Sequence, residues 1–379
     1  MQKESPRSKW ARPKAYLHLT KRLSPKEIEK FLKRCENPSY VAKHAFMPLL
    51  YKELSQRRFK KYKVDSEKEL ERDEFVRSHN YLGELSKKDR PIHYPTHTDA
   101  LIYSLYAKER LSPKYEALLK QNKELEKAVI AYRNIPVDDS EGAKSKCNIH
   151  FAKEVFEKIK DYQDCYVVCV DVKGFFPSIN HTLLKQKLAK LLGESELPSD
   201  YYNIFKSLTK FSYIKLDSLR MYQSQNGRKH GFDEKKLSDI RKEHGIFSFF
   251  SSPKEFRNAV KNGEFRIHKN QRLNKDKKLV GIPMGTAISP LLANLYMYDF
   301  DKWAIEEYAS GGNGFYRRYS DDIVFVVKEN KVAEILEKID EKFEELSLKV
   351  SKDKTEIFRF KNFETRRKTR LQSYAIENG

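Results

Sequence analysis

Two short apolar runs, Tyr166-Val167-Val168-Cys169-Val170 and Ile323-Val324-Phe325-Val326-Val327, are bounded by polar residues and rich in β-branched side chains, which predicts buried strands. Between Tyr319 and the second run lie Ser320-Asp321-Asp322, turn-favouring residues that predict a hairpin tip. Longer periodic segments predict helices. One begins at Leu291-Leu292-Ala293-Asn294-Leu295, with Ser289 as its cap and Pro290 at its first position, and continues through Met297, Phe300 and Trp303. Another runs from Lys331 to Leu346, followed by strand-like Leu346 to Val350 and Lys352 to Phe358. Near the N-terminus Ser24-Pro25-Lys26-Glu27 combines a cap, a first-turn proline and a glutamate, predicting a helix towards Cys35 that Asn37-Pro38 stops. The lysine-rich stretch from Lys235 to Lys278 reads as a surface insertion. Strand, helix, strand, hairpin, helix and strand in this order predict an α+β fold, an open antiparallel sheet backed by helices.

Composition adds a partner. The 379 residues carry 75 Lys and Arg against 54 Asp and Glu, a formal charge of +21. So large an excess, spread along the chain, predicts a groove for a polyanion whose binding falls steeply with salt. The segment Arg57-Arg58-Phe59-Lys60-Lys61-Tyr62-Lys63 interleaves cations with aromatics, as a nucleic-acid contact would. The charged N-terminus and the lack of a run of about 20 apolar residues predict a soluble, cytoplasmic protein with no membrane partner. Cys35, Cys147, Cys165 and Cys169 form no CxxC pair, so neither zinc nor disulfides are expected. His93 and His97 are separated by Pro95 and read as ordinary strand or loop residues.

Three carboxylates carry the chemistry. Asp171 ends an apolar strand, where a charge is costly without a compensating cation, and Asp321 and Asp322 occupy the hairpin tip, a natural cradle for a divalent metal. The loop Gly281-Ile282-Pro283-Met284-Gly285-Thr286 lets a substrate backbone come close, and the helix start after it offers amides to a phosphate.

In sequence order, VDVKGFFPSIN, GIPMGTAISPLLANLY, YSDD and LSLKVSKDKTEIF resemble the four catalytic motifs of the reverse transcriptase palm, over about residues 165 to 360. KKDRPIHYPTHTDALIYSLYAKER, AYRN and SKCNIHFA are similar to its fingers segments. The resemblance implies a right-hand polymerase fold with a ferredoxin-like palm sheet, helix-rich fingers and a short or missing thumb. The implied divisions are a basic helical extension over 1–75, fingers over 76–164, a palm over 165–360 with an insertion around 182–280, and a basic tail over 361–379 that contains Arg366-Arg367-Lys368.

It also implies RNA-directed DNA polymerase activity with two Mg2+ ions, for which Mn2+ can substitute, held by Asp171, Asp321, Asp322 and the carbonyl of Val172. Lys354 would protonate departing pyrophosphate. Phe176 would exclude a ribose 2'-hydroxyl, Lys88 and Arg90 would clamp the triphosphate, and Met284 and Gly285 would lie against the nucleotide. Tyr319, Arg133 and Lys146 would contact nucleic acid.

Met284 replaces the usual glutamine of the second motif. With the short thumb and a chain holding little besides the polymerase, this is most similar to bacterial defence-associated reverse transcriptases of the unknown-group and abortive-infection type. That subgroup implies a structured noncoding RNA as template, dNTPs as substrates, a DNA product, and a second polymerase subunit or homo-oligomer. Retron-type or other retroelement enzymes, RNA synthesis from ribonucleotides and a silent RNA-binding scaffold are the competing readings.

Overall fold

In a computed structural model, residues 7, 10–59, 85–138, 140, 144–220, 231–312, 314–328, 331–364 and 369–375 are described. The strands among them are β1 (Leu49–Phe59), β2 (Leu85–Tyr94), β3 (Cys165–Asp171), β4 (Ser212–Lys215), β5 (His268–Lys269), β6 (Gly314–Tyr319), β7 (Asp322–Val327), β8 (Glu356–Glu364) and β9 (Thr369–Ala375). They form two sheets, ordered β6-β7-β3-β8-β9 and β2-β1-β4-β5. Every pairing in the first is antiparallel. The expected α+β architecture with an antiparallel sheet is therefore present, and both apolar runs are strands.

β3 is apolar on both faces because both are covered. Val168 and Val170 join Ile323 and Phe325 in the principal core, beneath the helices His181–Leu192, Ser289–Tyr296 and Val332–Glu345. On the opposite face, Cys165, Val167 and Val326 pack against Ile159 of the helix Asn148–Tyr162. The helix Pro25–Cys35 belongs to the principal core too, and it opens on the predicted capping box between Ser24 and Glu27. Asn37 caps a short new helix, Pro38–Ala42.

Three local expectations need correction. The segment 235–278 contains the helices Glu234–His244 and Pro253–Lys261, and its aromatics build a second core. Phe249, Phe250, Phe256 and Phe265 gather there around Leu19, Leu50 and Ile214, three residues from distant segments, so its few apolar side chains suffice. The helix starting at Ser289 breaks at Met297, whose N–H is shared between the carbonyls of Ala293 and Asn294, and resumes over Tyr298–Ala304. Finally, Leu346 to Val350 is no strand: Val350 makes a single bridge to Val172, beside which Ser351 N–H donates to the Asp171 carbonyl.

Candidate active site

Strand register sets the carboxylates. Asp171 on β3 lies directly opposite Asp322 on β7, which in turn lies opposite Tyr319 on β6. Directly opposed residues of neighbouring strands share a face, so these three side chains leave the sheet together. The turn between β6 and β7 is tight, and Ser320 takes a positive φ of 61° that only a fixed environment holds in a non-glycine residue.

That environment is a buried polar network. Arg318, fully buried, donates to both oxygens of Asp301 at 2.7 Å, to Asn294 Oδ1 at 3.1 Å and to the carbonyl of Ser320 at 3.0 Å. Tyr316 donates its hydroxyl to Asp301 as well, and Asn294 Nδ2 donates to the Ala131 carbonyl. Burial opposes the Arg318 charge, but the paired carboxylate more than offsets this and its pKa stands above the ordinary value. Sequence reading missed these residues. The available signal was a charged residue at a core-facing position of a strand, two residues after Tyr316.

Asp171 has the cation its position requires. Lys354 Nζ donates to Asp171 Oδ1 at 2.7 Å, with the carboxylate 14% and the lysine side chain 47% exposed. Asp171, Asp322, Tyr319 and Lys354 line one cavity of about 480 Å³, whose other wall includes Phe151 and Val155 of the helix Asn148–Tyr162. Asp321 stands on the turn outside that lining, half-buried, and its carbonyl accepts from Val172 N–H at 3.0 Å. The three carboxylates are thus adjacent in the fold, yet among the described residues no three Asp, Glu, His or Cys side chains form a ready metal cage. Their hard oxygen donors suit Mg2+ chemically, and an ion at Asp171 would compete with the Lys354 ammonium for Oδ1.

A second cavity of about 420 Å³ is lined by Phe176, Met284, Gly285 and Thr286 together with Ile92 and Tyr94 of β2. Its loop is clamped from two sides. Gly281 N–H donates to the Ile179 carbonyl and Ile282 N–H to that of Phe176, while His93 N–H donates to the Met284 carbonyl at 2.7 Å. A Cβ on Gly281 would stand 2.6 Å from the Pro177 oxygen, and one on Gly285 would stand 2.6 Å from the His93 oxygen. Both glycines are required by this close approach.

The helix after the loop begins at Ser289 itself, with Ile288 and not Ser289 at the cap position. Ser289 is buried inside the first turn; its hydroxyl donates to the Pro283 carbonyl and its N–H to Thr286 Oγ1. Arg133 is also reassigned. Its guanidinium is spent on Glu116 and on the carbonyls of Glu126 and Val129, with the side chain 6% exposed, so it braces the fold. Lys146 pairs with Glu154, which also holds Arg317. Arg90 lies half-buried in β2 without an ion pair among the described residues. The side chain of Lys88, much of the Arg57 to Lys63 segment and Arg366 to Lys368 lie outside the described residues.

Among solved structures, apo telomerase from Candida tropicalis truncated from its C-terminal domain is similar with a TM-score of 0.43 at 10% identity, covering 78% of this chain and 50% of that one. Apo telomerase from the same organism gives 0.38 at 12% identity over 72% and 42% of the two chains. Telomerase from Candida albicans in complex with a fragment of telomeric RNA gives 0.34 at 15% identity over 71% and 40%. The chain spans about half the length of these structures or less. No curated protein is significantly similar in sequence. The family described as reverse transcriptase (RNA-dependent DNA polymerase) matches residues 113–372, which hold the paired carboxylates, the turn, the glycine loop and Lys354. With well over half of its length inside those bounds, the chain belongs to the reverse transcriptase family.

Proposed function

We propose that this protein is an RNA-directed DNA polymerase that extends a primer with deoxynucleotides by phosphoryl transfer at Asp171, Asp321 and Asp322. The observation that carries this reading is the register: Asp171 opposite Asp322, on one cavity with Lys354, and Asp321 one residue away on the turn. Two magnesium ions held by the three carboxylates and the Val172 carbonyl would neutralise charge on the attacking and leaving oxygens, as this chemistry demands. Lys354 holds a proton beside Asp171 and is exposed enough to offer it to a departing pyrophosphate. Phe176, which lines the glycine-loop cavity, supplies the bulk that discriminates against a 2'-hydroxyl. The charge of +21 supports an RNA template and makes its binding salt-sensitive. Met284 in place of glutamine supports a place among defence-associated enzymes that copy a structured noncoding RNA.

Primer extension on an RNA template with dNTPs and magnesium tests the reading. The double variant Asp321→Ala/Asp322→Ala should lose more than the about 10- to 100-fold typical of changes behind a metal's direct ligands. Equal incorporation by variant and wild type would leave only an RNA-binding scaffold. Phe176→Ala should raise ribonucleotide use relative to deoxynucleotide use, and a wild type that already prefers ribonucleotides would overturn the assignment of DNA synthesis.

A further inference from the structure

A third cavity, of about 160 Å³, opens in the second core, and none of the four motifs lines it. Its floor is apolar, with Leu237, Phe249, Phe250 and Phe265 all buried. Its rim is charged. The Arg220 guanidinium lies over the half-buried Phe232 ring at 5.4 Å, and the Lys236 ammonium lies over Phe250 at 4.8 Å. Lys236 also pairs with Glu255, and Asp233 caps the helix Glu234–His244, so both are committed within the fold. Two rim groups are not. Arg220 Nε is buried with no hydrogen-bond partner among the described residues, since Asp217 at 3.2 Å pairs with it in charge but lacks the alignment of a hydrogen bond. The carboxylate of Glu264, which is exposed, has neither a hydrogen bond nor an ion pair among them.

The charge around the cavity identifies the partner. Residues 212–279 hold 17 Lys and Arg against 8 Asp and Glu, so a net +9 of the chain's +21 sits on fewer than a fifth of its residues. A polyanion matches such a surface, and aromatic rings beside a guanidinium are where an unstacked base lies. The volume agrees. It falls below the range of about 300–1,000 Å³ typical of pockets that enclose a whole small molecule, yet it takes one planar ring whose sugar and phosphates stay outside. We propose that this cavity receives a single base turned out of a folded RNA, with the ring against Phe232 and its polar edges met by Arg220 and Glu264. Guanine suits the two uncommitted groups: it alone of the four bases presents neighbouring N–H donors to a carboxylate, and its O6 and N7 accept from a guanidinium. The proposal rests on the RNA-partner half of the polymerase reading and places recognition of that RNA outside the metal site.

Titration of the full chain with three RNA hairpins tests it: one carries a single bulged guanosine, the second a bulged adenosine and the third an abasic site at the same place. Wild type should bind the guanosine hairpin about 10-fold more tightly than the abasic one, the scale of one base stacked on an aromatic side chain. The adenosine hairpin should fall between them. Arg220→Ala should remove most of the difference between guanosine and abasic site, and Glu264→Gln, a change at the exposed rim that leaves the second core packed, should remove the preference for guanosine over adenosine. Equal affinity of wild type for the guanosine and abasic hairpins overturns the base site and leaves the cavity to a protein side chain. Full discrimination by both variants means that the base is read elsewhere, and overturns it as well. Primer extension by wild type on an unstructured RNA template separates this site from the catalytic reading: extension without base discrimination removes the cavity's role alone, and discrimination without extension removes the polymerase and leaves the RNA site standing.

Discussion

The two cavities of the active site are built on opposite principles. The carboxylate cavity takes its geometry from strands: one register sets Asp171 against Asp322 and Tyr319, and a buried ion pair behind β6 fixes the turn. The glycine-loop cavity is assembled from an N-terminal segment, the end of β2, the Phe176 turn and the Met284 loop, with hydrogen bonds and close contacts between pieces far apart in sequence. A ladder of backbone hydrogen bonds tolerates side-chain change, because register is a property of the whole strand. Loop packing has no such redundancy, and a single added carbon is felt. The charged half should therefore be broken most severely from behind, and the apolar half from within.

The largest effect is expected at Asp301. Asp301→Ala leaves the Arg318 guanidinium fully buried without its carboxylate, and breaking such a pair costs about 3–5 kcal/mol. Urea denaturation should show that loss, and the surviving folded fraction should polymerise poorly because Arg318 also holds the Ser320 carbonyl. A cost below about 1 kcal/mol would mean that the turn is anchored elsewhere and the contrast between the halves is misplaced.

Next in size is Gly285→Ala. The φ of 109° and the 2.6 Å approach to the His93 oxygen should together cost about 1–3 kcal/mol, felt as a lowered melting temperature and a raised KM for dNTP. Unaltered stability and KM would show that the loop is free to move off β2, and the second cavity would lose its defining clamp.

How much of this was legible follows the same division. β3, the β6–β7 turn and the Ser24–Glu27 capping box were readable because each rests on a few neighbouring residues. Asp171 was recognisable as a charge in need of a partner, and Lys354 is that partner. Arg318 and Asp301 escaped because the feature is a pairing between a strand and a helix, and the local signal, a charge two residues after Tyr316 on the core-facing side of β6, names no partner. Arg133 looked like a nucleic-acid contact for the same reason, since only the fold supplies Glu116 and two carbonyls to consume it. The second core was hidden by lysines, its phenylalanines finding Leu19 and Leu50 only through long-range packing.

The smallest expected effect concerns three buried histidines: His18 and His97, which join the N-terminal segment to the end of β2 and the helix after it, and His93 within β2. Burial pushes His18 down to about 3, and burial together with positive neighbours holds His93 and His97 at about 4. Unfolded, each takes up a proton near pH 6.5, while the folded protein refuses it until pH falls to those lower values. Below about pH 6.5 the unfolded chain therefore binds more protons, and stability should fall by up to about 1.4 kcal/mol per pH unit for each histidine until its folded pKa is passed. His97 separates this from the titration of carboxylates. Both its ring nitrogens are buried and have no hydrogen-bond partner among the described residues, and the ring stacks on Tyr16, so phenylalanine can replace it in shape. His97→Phe should match wild type at pH 7 and lose less stability between about pH 6.5 and 4.5, with a slope reduced by about 1 kcal/mol per pH unit in urea denaturation. Parallel stability curves for the two proteins across that range would show that the joint between the N-terminal segment and β2 does not depend on a neutral ring at 97, and would leave the apolar cavity as insensitive to acid as any well-packed core.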